Sequence, residues 1–162
     1  MKKLNPAHVA AMSKMIQEAP YMRTMNMHVT RLDYGVCDLE VPLIENHLHA
    51  YRAIHGGVYA GIIDTAAYWC CYCEMEEDEG FVSLDLSVHD LASVKDGTIY
   101  VEGRTLEMGR TMLIAEAKVK DETGRVLAYG SSKLMRRANL KTATQLAETF
   151  GLPPLPPKFI EE

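Results

Sequence analysis

The residues best suited to chemistry stand close together. They are Ile54-His55-Gly56-Gly57-Val58, and then Asp64, seven residues after the second glycine. A helix that starts on two glycines offers unpaired backbone N–H groups and a partial positive charge. With no side chain at Gly56 or Gly57, a substrate oxygen can approach those N–H groups, and the same arrangement can hold an oxyanion. Asp64 could then activate water or attack a carbonyl. Two helical turns, about 11 Å of rise, separate the two features. The Asp64 of one chain is therefore badly placed to serve a carbonyl at its own Gly56, and a partner chain would close the gap. A plainer reading stays open beside this one: a glycine-rich helix start plus a buried, hydrogen-bonded aspartate.

The element that positions both is a helix expected from about residue 56 to 76, roughly 30 Å long. Val58, Ile62, Ala66, Trp69, Cys70 and Cys73 fall at spacings of three and four, with Ala60, Ile63, Ala67 and Cys71 beside them. A helix apolar nearly all round is one that other structure wraps. Asp64 is its only acid before Glu74, and a buried carboxylate needs hydrogen-bond partners.

Residues 6–18 read as a helix, with Asn5 as cap, Pro6 at the first position and Pro20 marking the end. Period-two alternation over 27–32 and 36–41 reads as two strands joined by an Asp33-Tyr34-Gly35 turn. The loop over 43–54 carries His47, His49, Tyr51 and Arg52 to the helix start, where loop residues can line a site. Beyond the helix come an acidic connection at 74–80 and four strand-like runs at 81–89, 98–107, 111–120 and 125–135. Turn chemistry separates them: Lys95-Asp96-Gly97, Met108-Gly109 and Asp121-Glu122-Thr123-Gly124. Residues 142–150 suit a short helix, and the proline-rich 151–157 an extended docking or stabilising tail. This order predicts an α+β domain over 1–140, an antiparallel sheet curled around the long helix. Residues 1–21 form an N-terminal helical segment and 141–162 the tail.

Composition narrows the class. The chain has 162 residues, 48% of them hydrophobic and 24% charged, which suits one soluble domain with a real core. A net charge of −5 argues against nucleic acid as a partner, because no basic excess is available for phosphates. No apolar run approaches the roughly 20 residues of a membrane span. The N-terminus lacks the apolar core of a signal peptide, so a cytoplasmic location is expected. Cys37, Cys70, Cys71 and Cys73 read as small buried hydrophobes rather than disulfide partners. The three helical thiols point in different directions and no second ligand pair exists, so no metal site is expected.

Over about residues 22–135 the chain resembles the hotdog-fold acyl-CoA thioesterases, the PaaI-type branch in particular. His55-Gly56-Gly57 with Asp64 in register carries the likeness. Val82-Ser83-Leu84-Asp85-Leu86, the stretch 91–97, Gly109-Arg110-Thr111 and the 121–124 turn reinforce it. The resemblance implies a homodimer with sheets paired edge to edge, often a dimer of dimers, and active sites between subunits. It implies that the Gly56 N–H, with Gly57 beside it, polarises a thioester carbonyl of the other chain. Asp64 becomes general base or nucleophile, Ser83 helps to position water or the carboxylate, and His55 braces the turn at the substrate-binding edge. No cofactor is implied, since coenzyme A is part of the substrate.

Two positions depart from the family pattern. His49 stands where an asparagine is usual and could take over its hydrogen-bonding role. Arg52 stands where a glycine is usual. It could select a polar acyl group or touch phosphate, or be a plain surface arginine. Arg110, with Lys133, Arg136 and Arg137, is a candidate for the phosphates of coenzyme A. Tyr68, Trp69 and Tyr59 are candidate walls of the acyl pocket. Two alternatives keep the fold: chemistry on another thioester carrier, or a non-catalytic acyl-CoA sensor.

Overall fold

A computed structural model describes residues 2–77 and 79–161. In chain order its elements are β1 (Lys2–Leu4), α1 (Pro6–Gln17), α2 (Pro20–Thr24), β2 (His28–Asp33) and β3 (Val36–Pro42). Then follow α3 (Gly56–Tyr72), β4 (Gly80–Asp90), β5 (Thr98–Met108), β6 (Met112–Lys120), β7 (Val126–Arg137), α4 (Ala143–Thr149) and β8 (Phe159–Glu161). Six strands form one antiparallel sheet in the order β2-β3-β5-β6-β7-β4. A second, two-stranded sheet pairs β1 with β8.

α3 is the axis of the fold. Ile62, Ile63, Ala66, Ala67, Cys70 and Cys71 are fully buried. They meet the inward side chains of the sheet: Cys37, Leu39 and Val41 from β3, Val101 from β5, Leu113, Ala115 and Ala117 from β6. Alternate burial along β3 and β6 shows why these segments are strands: one face fills the core and the other meets solvent. The helix lies close to the sheet because β5 and β7 place glycine beneath it. A Cβ on Gly103 would lie 2.6 Å from the Ala66 carbonyl oxygen, and one on Gly130 would press on Ile63 and the backbone of β4.

The structure extends the sequence reading at three places. Pro20 ends α1 but also opens α2, because proline suits the first position of a helix. α3 stops at Tyr72, four residues short of the expected end. The tail explains that stop. It returns across the molecule, and the fully buried Lys158 donates from Nζ to the Tyr72 and Met75 carbonyls at the end of α3. Its ammonium sits 4.0 Å from the centre of the Tyr72 ring. The buried His8 of α1 bridges the same place, donating from Nδ1 to the Pro156 carbonyl at 2.7 Å and accepting the Tyr72 hydroxyl at 2.8 Å on Nε2. Residues 156–161 therefore strap the end of α3 to α1 and β1.

Burial pulls the Lys158 ammonium down to about 8. A lysine with a folded pKa below its unfolded value binds fewer protons in the native state. Its contribution to stability therefore grows as pH rises from about 8 towards the free lysine's 10.5. Lys158→Met is expected to cost about 1–3 kcal/mol, because the Tyr72 and Met75 carbonyls lose their donor. The gap to the parent should widen between those pH values, read by denaturant unfolding of both chains side by side. The comparison must be a difference. Cys73 is itself pushed up to about 12 by burial while the Lys158 charge pulls the other way, so the gap is read cleanly below about pH 9, the ordinary cysteine value, where that thiol keeps its proton in both chains.

Candidate active site

One strip of α3 escapes full coverage by its own sheet. Gly57, Ala60, Gly61, Asp64, Thr65 and Tyr68 recur at intervals of three and four, so they share a face, and all are exposed or half-buried. Asp64 lies in the middle. The Ser83 hydroxyl, on β4, donates to Asp64 Oδ1 at 3.5 Å. Burial pushes the Asp64 carboxyl above the ordinary aspartate range, and the Ser83 hydrogen bond pulls weakly the other way. Tyr68 stacks on Phe81 with ring centres 4.3 Å apart and donates to the Phe81 carbonyl at 3.3 Å. Tyr21 reaches over from α2, and its hydroxyl rests against Gly61, in the space a β-carbon would fill. Burial, then the Asp64 charge, pushes both phenols upward.

The start of α3 is built differently. His55 caps it, and its Nδ1 accepts the Gly57 N–H at 2.8 Å. This corrects the expectation that Gly57 helps to bind a carbonyl: its N–H is already taken. His55 braces the turn, and the Gly56 N–H has no hydrogen-bond partner among the described residues. Gly56 borders an open cleft of about 300 Å³ lined also by Ile54, Tyr59, Asp90, Leu91, Ala92 and Ser93. Tyr59 is buried against this cleft, with its hydroxyl donating to the Ala92 carbonyl at 2.9 Å. Asp90 Oδ2 stands 2.8 Å from where a Gly56 Cβ would be, so only glycine leaves this approach open.

The loop before the helix is held by histidines. The buried His47 accepts the Ile44 N–H on Nδ1 at 3.2 Å and donates from Nε2 to the Met25 carbonyl at 2.9 Å. His49 accepts the Tyr51 N–H on Nδ1 at 3.1 Å, which leaves its Nε2–H as a donor. Arg52 adopts a left-handed backbone, φ 62°, and its guanidinium pairs with Glu45 at 2.9 Å. Both side chains stay largely exposed. Arg110 lies in the β5–β6 turn. The register pairs Gly80 with Arg137 and Met112 with Met135 at that end of the sheet, and Asp90 with Ala128 at the Gly56 end. Within one chain Arg110 is therefore far from Gly56. Arg136 is engaged with Glu79 and the Gly109 carbonyl, and Lys133 with Asp85.

The structure thus brings Asp64, Ser83 and Tyr68 together, and Gly56, Gly57 and His55 together, but keeps the two groups apart. Tyr21 and Asp90 were missed as neighbours of these groups. A tyrosine after Pro20 and an acid closing a strand carry no local signal of where the chain will fold them.

A sheet of this order around one long helix, with a capped glycine start and a half-buried acid two turns on, defines a hotdog-fold protein. A family model described as "Thioesterase superfamily" matches residues 51–128, the stretch that holds the helix, the acid and three strands. Over that stretch the chain is similar to the thioesterase superfamily, and the family description and the names of its relatives support thioester hydrolysis. It is 29% identical over 96 residues to the proofreading thioesterase EntH of Klebsiella pneumoniae, covering 59% of this chain and 70% of that protein. It is 23% identical over 104 residues to the 1,4-dihydroxy-2-naphthoyl-CoA hydrolase of Listeria monocytogenes, covering 64% of this chain and 85% of the relative. A thioesterase structure from Haemophilus influenzae superposes with a TM-score of 0.75 at 14% identity, over 82% of this chain and 92% of that one.

Proposed function

We propose that the chain hydrolyses acyl-CoA thioesters at sites shared between two subunits, with the carbonyl held by one chain and the water activated by the other. The observation that carries this is the separation of Gly56 from Asp64 along one helix, together with a free strand edge between them. β4 is an outer strand of the sheet and pairs only with β7 among the described residues. Two copies of β4 side by side and antiparallel would set the Asp90 end of one chain, with Gly56, beside the Ser83 end of the other, with Asp64. The hydrolase relative named for a CoA thioester supports coenzyme A as the carrier. The family likeness extends the assembly to a dimer of dimers in the cytoplasm.

In this reading the Gly56 N–H donates to the thioester carbonyl oxygen and holds the charge that develops on it. The His49 Nε2–H is a second donor at the same helix start. Asp64 takes a proton from water as the water oxygen attacks the carbonyl carbon, and Ser83 steadies the carboxylate. The tetrahedral intermediate then expels the thiolate. Asp64 returns the proton to sulfur, leaving a carboxylic acid and free coenzyme A.

Incubation with a panel of acyl-CoA thioesters, with free coenzyme A followed by mass spectrometry, tests the reaction. Subunit complementation tests the shared site. Asp64→Asn and Gly56→Val homodimers should both be inactive. Co-expressed, the two chains should regain turnover, because each hybrid dimer contains one site with neither change. A site contained in one chain would leave the mixture as dead as its components.

A further inference from the structure

Asp64 has a neighbour with no structural task. The Tyr21 hydroxyl lies directly on the backbone of α3 at Gly61, one turn before Asp64 on the same face, about 4.5 Å of rise away. Only a glycine at 61 admits it there. Tyr68, on the other side of Asp64, spends its hydroxyl on the Phe81 carbonyl. The Tyr21 hydroxyl has no hydrogen-bond partner among the described residues, and its ring is half-exposed. Ser83 occupies Oδ1 of Asp64, which leaves Oδ2 for water.

An attacking water has four hydrogen-bonding positions. One lone pair makes the new bond, one hydrogen goes to the base, and the other lone pair needs a donor if the water is to be aimed. A carboxylate cannot supply that donor; a phenol can. We propose that the Tyr21 O–H donates to the water that Asp64 deprotonates, so that α2 and α3 together aim it at the thioester. Tyr21 keeps its own proton throughout, and the proton balance through Asp64 is unchanged. The inference rests on Asp64 acting as the base.

Tyr21→Phe keeps the ring and removes the donor. Its kcat is expected to fall about tenfold, the scale of one hydrogen bond made in the transition state, with KM within about twofold of the parent. The acid limb of its pH–rate profile should stay where it is in the parent, since the lost donor acts on the water and not on the Asp64 carboxylate, whose hydrogen bond comes from Ser83. Gly61→Ala provides an independent route, because the added methyl displaces the hydroxyl while the helix is kept. It should show the same loss, and the double variant should be no slower than either single one. Melting curves establish that each variant is folded. An unchanged kcat in Tyr21→Phe, a loss confined to KM, or losses that multiply in the double variant would each overturn the assignment. A parent chain that turns over no thioester would instead overturn the hydrolase reading beneath it.

Discussion

Asp64→Asn leaves a folded protein whose thioester hydrolysis is lower by about 10²-fold or more, the scale of a general base removed. The same variant is expected to be at least as stable as the parent at neutral pH. Burial raises the Asp64 pKa in the folded chain above its ordinary value of 3.8. The native state then holds its proton more tightly than the unfolded state does, so stability falls as pH rises through that interval and the ionised carboxylate remains a cost above it. Asparagine has the same shape, keeps an acceptor for the Ser83 hydroxyl and carries no charge. Lost activity with an unchanged or higher melting temperature marks a residue kept for chemistry. A structural aspartate would show the reverse, with lower stability and activity falling only in proportion to folded protein. The raised pKa also sets the pH dependence: turnover needs the ionised form, so its acid limb should lie above the ordinary aspartate range. Steady-state rates against pH, with a thermal melt at each pH, check both halves.

Much of this was legible in the residues because the signals were local and repeated. The long apolar run after Gly57 specifies a wrapped helix, and alternation specifies the strands. His55-Gly56-Gly57 specifies a capped start, although which N–H groups stay free depended on where the His55 ring turned. The end of α3 was less legible, since Glu74 and Glu76 favour helix well enough. What stops it is Lys158, more than eighty residues away, supplying donors to the last carbonyls. Tyr21 illustrates the same limit. Its place is fixed by a glycine forty residues later, and no periodicity connects the two.

Gly103→Ala is expected to be among the most damaging single methyls in the core. The added Cβ would stand 2.6 Å from the Ala66 carbonyl oxygen, 2.8 Å from its carbon and 2.8 Å from the Cys37 carbonyl oxygen. All three are backbone atoms, so no side chain can swing away; α3 must lift off β5, or β3 must part from it. Overpacking of this kind costs about 1–3 kcal/mol and more where backbone must move, which for a chain of this size lowers the melting temperature by up to about 10 °C. Gly124→Ala separates crowding from backbone strain. Gly124 has φ +85° with nothing within 4 Å of the added carbon, so its cost is the left-handed conformation alone, about 1–2 kcal/mol. If Gly124→Ala proved the more damaging of the two, the close seat of helix on sheet would not be what the core depends on. That seat also matters to the site. Asp64 is on α3 and Ser83 on the sheet, so their 3.5 Å contact holds only while the helix lies at its present depth. Gly103→Ala protein that still folds should therefore lose turnover beyond its loss of folded fraction, which rates measured well below its melting temperature will show.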